Sequence, residues 1–221
     1  RDVSDRKRHD EQQELLLKEM DHRIKNLFAI AQSIIFLSAE TAATPKALAD
    51  TVQGRLSAMA SAHDLVRPRR TGRDIKLLET TLADIIKTLL LPHGVDIGSG
   101  DQPRLTIDGP EVIVSGDAVA SIAMVIHELA TNAVKYGALA NADGVVHIAW
   151  TISKKQLDLT WSEQGGPVIK AAPDVPGFGS LLAQSSITGQ LDGQISYDWN
   201  PSGVVIKLSA ALERLISQKV S

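Results

Sequence analysis

A chain of 221 residues, 43% of them hydrophobic, has material for one or two cored domains, and its net charge of −3 gives no electrostatic reason to bind nucleic acid or an anionic membrane. The absence of cysteine excludes a disulfide framework and a thiol active site, and suits a reducing cytoplasm. No apolar run approaches the roughly 20 residues of a membrane span, and the charged start, Arg1-Asp2-Val3-Ser4-Asp5-Arg6-Lys7-Arg8, lacks the apolar centre of a signal peptide.

From about Ser4 to Ala39 no Pro or Gly interrupts a run of helix formers. Leu17, Met20, Ile24, Leu27, Ala31 and Ile34 recur in steps of three and four, the seam of a coiled coil. Thr41-Ala42-Ala43-Thr44-Pro45 breaks it, with Thr44 as N-cap and Pro45 at the first position of a second helix. That helix runs to about Val66 and carries Leu48, Val52, Leu56 and Met59. The pair reads as an antiparallel hairpin whose apolar stripes call for a second copy, giving a four-helix bundle in a homodimer. Arg67-Pro68-Arg69-Arg70-Thr71-Gly72 reads as a solvated basic hinge rather than a nucleic-acid patch.

Beyond it the elements alternate. A helix is expected over Leu77–Leu91, stopped by Pro92 and Gly94, then strands at Arg104–Asp108 and Val112–Val114. Ser115 or Asp117 would cap the longest helix. Hairpins are expected at Val145–Thr151 with Gln156–Trp161 and at Gln194–Trp199 with Val204–Leu208, a helix after Gly179, and a terminal helix over Ala210–Lys219. Fold class is therefore α+β. A helical hairpin (1–72) precedes an α/β sandwich (73–221) with a mixed, largely antiparallel sheet.

The longest helix holds Met124-Val125-Ile126-His127-Glu128-Leu129-Ala130-Thr131-Asn132-Ala133-Val134-Lys135-Tyr136-Gly137. Ile122, Ile126, Leu129 and Ala133 share one side; Glu128, Asn132 and Lys135, at i, i+4 and i+7, fall nearly opposite. A carboxylate, an amide and an ammonium in one stripe suit a magnesium-phosphate ligand, the oxygens holding the cation and the ammonium neutralising phosphate. The same stripe also fits a solvated face with one i,i+4 pair. Gly137 reads as the residue that ends the helix. His22, between seam positions Met20 and Ile24, faces solvent. It is either an inert surface residue or a nucleophile, for which neutral imidazole is well suited. Arg23 and Lys25 would offset charge on an incoming phosphate. Gly177-x-Gly179 before a helix lets backbone N–H groups meet phosphates, and Trp161, at a strand end, reads as core. His9, His63, His93 and His147 read as structural.

Four motifs in order carry a resemblance: His22-Arg23-Ile24-Lys25-Asn26, the Glu128–Lys135 helix, Trp161-Ser162-Glu163-Gln164-Gly165-Gly166-Pro167, and Gly177-Phe178-Gly179-Ser180-Leu181. The helix resembles the N-box of the GHKL ATPase superfamily. The whole, from about Asp5 to Ala210, resembles sensor histidine kinases of the HWE type, named for an N-box His (here His127) and a Trp-x-Glu (here Trp161 and Glu163). The resemblance implies that Asn132 binds magnesium and Lys135 contacts phosphates. Glu128 would hold a magnesium-bound water or orient His22 for attack. Tyr136 would cover the ribose or adenine, and Glu163 would accept the adenine amine where many GHKL proteins carry Asp. Gly165 and Gly166 would let the backbone approach the base, and Gly177 and Gly179 would meet the phosphates. Pro167 to Gly177 is short for an ATP lid.

The implied function is an ATP- and magnesium-dependent protein-histidine kinase of two-component signalling, phosphorylating His22, with Arg23, Lys25 and Asn26 in support. The implied partner is a response-regulator receiver domain. Asp2–Lys7 is similar to the exit segment of PAS-type sensors, which implies an upstream sensor domain. A histidine phosphotransferase with a vestigial ATP-binding domain is opposed by Glu163 and Gly177-x-Gly179. A GHKL ATPase clamp is opposed by the His22 context.

Overall fold

The computed structural model describes residues 24–25, 27–40, 42–65, 69–71, 74–76, 80–94, 103–174 and 177–216. Residues 27–40 form helix α1, and Pro45–Leu65 form α2. The break falls where predicted. Thr44 Oγ1 accepts the Ala47 N–H at 3.1 Å, and Pro45, which has no N–H to satisfy, opens the helix.

The expected hinge is partly a ladder: Arg69–Thr71 (β1) pairs antiparallel with Asp74–Lys76 (β2). Gly72 and Arg73 between them give a connection of hairpin length. The helix expected from Leu77 starts only at Leu82 (α3, Leu82–Leu90). Thr80–Thr81 (β3) instead pairs with Ile113–Val114 (β5). Thr81 then caps α3, its hydroxyl accepting the Asp84 N–H at 3.1 Å while the Asp84 carboxylate faces the Thr81 N–H at 3.4 Å.

Leu105–Asp108 (β4), Val145–Ser153 (β6), Gln156–Gln164 (β7), Gln194–Asn200 (β8) and Gly203–Ala211 (β9) form one sheet in the order β4-β6-β7-β9-β8. β4 runs parallel to β6 and every other neighbour is antiparallel, so the mixed sheet expected from sequence is present. Its inner face buries Val146, Ile148 and Trp150 of β6, Leu157, Leu159 and Trp161 of β7, and Val204, Ile206 and Leu208 of β9. Gly116–Lys135 (α4), Phe178–Gln190 (α5) and α3 cover that face.

Two boundaries differ from expectation. Asp117 lies inside α4, and Ser115, which precedes it, makes no side-chain cap; its N–H instead donates to Leu215 O at 2.7 Å. The terminal helix shrinks to Leu212–Leu215 (α6), because β9 continues to Ala211 in register with Gln156. The rest of the expected helix lies outside the described residues. No helix among the described residues is long and apolar enough to cross a membrane.

Most of α4 is buried on both sides. Ile122, Ile126, Leu129 and Ala133 join the sheet core. Ala120 and Met124 meet Ile30 and Ile34 of α1 and Leu182 of α5, with Leu27, Leu37, Val52, Leu56 and Met59 around them. The predicted coiled-coil seam is thus split along its length. Ile34 is 0% exposed inside the chain, whereas Ile24, Phe28 and Ile35 form an open stripe alongside it. The hairpin buries its main stripe on α4 and α5 of its own chain. Leu17 and Met20 lie outside the described residues.

A buried Ile at this junction should matter and an exposed Phe two residues away should not. Ile34→Ala is expected to lower unfolding free energy by about 2–5 kcal/mol in denaturant melts. Phe36→Ser, at a side chain 67% exposed, should shift it by no more than about 0.5 kcal/mol. Equal losses at the two positions would contradict this packing.

Candidate active site

The inward row of β7 ends in a charge. After Leu157, Leu159 and Trp161, the next inward residue is Glu163, only 4% exposed. Both its oxygens are held: Oε2 accepts the Ala138 N–H at 2.7 Å, and Oε1 accepts the Trp161 indole N–H at 2.9 Å. Burial pushes the Glu163 carboxyl up from its ordinary value, and these two donors work against that shift. Trp161, expected as core, is fully buried and also orients Glu163.

The backbone leaves room for this carboxylate. α4 ends at Lys135 with Tyr136 as its C-cap, and Gly137 follows at φ −109°, not in the left-handed region expected of a helix-ending glycine. Glycine is needed at 137 for another reason: a Cβ there would fall on Glu163 Oε2. A Cβ on Gly166 would lie 2.8 Å from both the Ala138 nitrogen and the Gly137 carbonyl carbon. Gly165, at φ +77°, makes the turn after β7, and its carbonyl accepts the Asn141 side-chain N–H at 2.9 Å.

Above Glu163 opens a cavity of about 1480 Å³. Glu128, Asn132, Lys135 and Tyr136 of α4 line it, as do Gly177 and Gly179 at the start of α5. Gly165 is not on its wall, whereas Gly166 is. The residues picked out in three separate motifs therefore face one space. Gly177 is the N-cap of α5, so the free N–H groups of that helix's first turn open at the cavity. Tyr136 is 73% exposed at the rim.

The expected open stripe on α4 is not uniform. Lys135 is exposed and Asn132 half-buried, but Glu128 is 4% exposed because α2 covers the first turn of the stripe. Arg55 of α2 grips it with a planar fork, Nε to Oε1 at 2.5 Å and Nη2 to Oε2 at 2.9 Å. Arg55 Nη1 also donates to Ser38 Oγ of α1 at 2.6 Å, and that hydroxyl donates to Ile34 O at 2.5 Å. The other side of Glu128 abuts α5, where a Cβ on Gly179 would fall on Oε2.

His127 packs beside Gly54 of α2, where a Cβ would lie 3.8 Å from Nε2. Burial chiefly lowers its pKa; the Glu128 charge opposes that, while His93, Arg55 and Lys135 add to it. The Tyr197 hydroxyl of β8 is buried in the same region and has no well-formed hydrogen bond. Burial raises its pKa, nearby Ser180 opposes this and the Glu128 charge adds to it. Its ring stacks on Trp199 with centroids 5.9 Å apart.

Arg55, Ser38 and Tyr197 were not expected. The signal for Arg55 was its place at i+3 from Val52 and i−4 from Met59, inside the apolar stripe of α2. Ser38 extends the Ile30–Ile34 row in the same way. Of the expected phosphotransfer residues, Lys25 is helical and exposed. His22, Arg23 and Asn26 lie outside the described residues.

Among the described residues no group of three or more His, Asp or Glu side chains could hold a metal ion. Magnesium keeps several waters and is commonly bound through one or two protein oxygens plus substrate phosphates, and the Asn132 side chain brings one amide oxygen to the cavity wall.

Residues 19–111 match the family model described as HWE histidine kinase. Over 216 residues the chain is 35% identical to the blue-light-activated histidine kinase of Brucella anthropi, covering 96% of this chain and 42% of that protein. The protein of the same name in Brucella ovis is 30% identical over 215 residues, with the same coverage of 96% and 42%. The chain thus spans less than half the length of these curated relatives. Among solved structures it resembles the EL346 blue-light activated histidine kinase of Erythrobacter litoralis, with a TM-score of 0.65 and 14% identity over 91% of this chain and 61% of that one. At that identity the likeness concerns the fold. The chain therefore carries a domain of the HWE histidine kinase family, the family that its own His127 and Trp161-x-Glu163 resemble.

Proposed function

We propose that this chain performs the chemistry of an ATP-dependent protein-histidine kinase of two-component signalling. It would phosphorylate His22 in the cytoplasm and pass the phosphoryl group to an aspartate of a response-regulator receiver domain. Residues 1–72 would form the dimerisation and phosphotransfer unit, and residues 73–221 the catalytic ATP-binding unit. One observation carries the reading: Glu163, Asn132, Lys135 and the N-terminus of α5 line a single cavity whose wall also includes Ser38, Gly54 and Arg55 of the helical hairpin. A nucleotide in that cavity would lie against α1 and α2, the two helices that follow His22 in the sequence.

In this reading adenine enters over Gly166 and gives its amine to Glu163, which the Ala138 and Trp161 N–H groups hold ready. Tyr136 covers the ribose or base from the rim. The phosphates run toward Lys135 and the backbone N–H groups at Gly177–Gly179, where the helix dipole favours anions. Asn132 would hold magnesium, which when bound would neutralise phosphate charge. Glu128 stands at the phosphate end, placed to hold a magnesium-bound water or to orient His22. A neutral His22 nitrogen attacks the γ-phosphorus in line as the bond to ADP breaks, and catalysis is mostly positioning and charge neutralisation. A homodimer would use the open Ile24, Phe28 and Ile35 stripe of α1, since Leu27 and Ile34 are engaged within the chain.

His22→Ala should abolish acid-labile, base-stable radiolabel from γ-labelled ATP yet leave ADP affinity within about threefold, because the nucleotide residues lie elsewhere. Wild-type labelling in that variant would refute the acceptor assignment. By calorimetry ATP and ADP should bind at roughly −5 to −8 kcal/mol, and Lys135→Ala should weaken ATP more than ADP. Equal weakening of the two would remove the γ-phosphate contact.

Glu163 gives a pH test. Its carboxyl lies above 4.5 in the folded chain, and protonation removes an acceptor for the adenine amine. ADP affinity should therefore fall as pH drops through a window above 4.5. Glu163→Gln should bind weakly without that pH dependence. The stability contribution has the opposite sign: it is fully present below the ordinary value and is lost as pH rises through the folded one. A flat wild-type affinity across the window would reject the role of Glu163.

A further inference from the structure

The Arg55–Glu128 pair joins the hairpin to the long helix of the sandwich at the phosphate end of the cavity. Its side chains are 7% and 6% exposed. Burying an ion pair gains little stability over apolar residues of the same volume, so stability alone does not account for a charge in the apolar stripe of α2. What the pair does achieve is orientation. A glutamate has three side-chain torsions, and two parallel bonds from a planar guanidinium fix both the position and the plane of its carboxylate. Arg55 is itself braced, through Ser38 Oγ, to the Ile34 carbonyl of α1.

We propose that Arg55 is a positioning residue for phosphoryl transfer: the hairpin, through Arg55 and Ser38, sets the Glu128 carboxylate that works on His22 and the phosphates. The proposal rests on the kinase reading above and extends it, since the ATP site of the sandwich is then complete only with the hairpin docked. Geometry supports a working carboxylate. Oε2 abuts Gly179, in the first turn of α5, so the group stands beside the N–H groups assigned to phosphate. Each carboxylate oxygen accepts one bond from Arg55 and keeps a second acceptor site for a ligand. His127 on α4 and Tyr197 on β8 are the titratable groups that sense the Glu128 charge.

The test uses the full chain and reads acid-labile label per ADP-binding site at saturating magnesium-ATP, together with ADP affinity by calorimetry. Arg55→Lys keeps the charge and loses the fork. It should lower the labelling rate by about ten- to a hundredfold, the scale of a small misplacement in an active site, with ADP affinity within about threefold. The magnesium concentration for half-maximal rate should rise. A structural role alone would lower the number of ADP-binding sites and leave the rate per site unchanged, which would overturn the proposal. Faster labelling in Arg55→Lys would also overturn it, making the pair a latch that restrains the kinase. If Arg55→Lys does not bind ADP, Ser38→Ala decides the matter, since it leaves the ion pair and removes only its brace: a several-fold slower rate supports the proposal and an unchanged rate rejects it. Failure of the kinase reading shows in the wild type, as ADP binding with His22 unlabelled, and the proposal would fall with it.

Discussion

Helix α4 has almost no solvent side until its last turns. The sheet core covers one face and the hairpin covers the other, so a polar group on this helix must be matched inside the protein or brought to the cavity. Ala118, Ala120, Ala123, Ala130 and Ala133 let neighbours approach closely on both faces. At Glu128 a small residue does not suffice: a carboxylate at that depth requires a partner, and α2 provides one. The apolar cluster of Ile30, Ile34, Ala120, Met124 and Leu182 docks the hairpin on α4, and that docking brings Arg55 to Glu128 and Gly54 to His127. Only beyond Glu128 does α4 emerge, and there Asn132, Lys135 and Tyr136 become accessible in turn.

Much of this order was legible in the residues. Period-2 alternation in Gln156–Trp161 and in Val204–Leu208 marks strands because one face meets a core and the other does not. Thr44-Pro45 marks a helix start for reasons internal to those two residues. Where local pattern competes with tertiary pairing, the reading from sequence fails. Thr80 and Thr81 join a short ladder with Ile113 and Val114, so these two residues of the expected helix are strand. Ala211 stays in a strand because Gln156 faces it.

The residues of the cavity were legible for a different reason. Glu163, Asn132, Lys135 and the glycines belong to the motifs that carry the family resemblance, each readable from residues close together in the chain. Arg55 belongs to no such motif. It sits at a stripe position that a hydrophobic residue would fill, and its partner is 73 residues away. No periodicity within α2 encodes that distance. The seam of α1 failed for a related reason: one heptad pattern serves both an internal contact and an exposed stripe, and only the packing of α4 and α5 separates Ile34 from Ile35.

Two glycines carry a consequence of their own. Gly137 gives up its side-chain space to Glu163, and Gly179 gives up its space to Glu128. Each end of the cavity thus has its own wedge point, where one added methyl displaces one carboxylate. Alanine at 137 strikes the Glu163 end and alanine at 179 the Glu128 end. The two ends are therefore separately adjustable from the wall, and the fit at one can drift through evolution independently of the fit at the other.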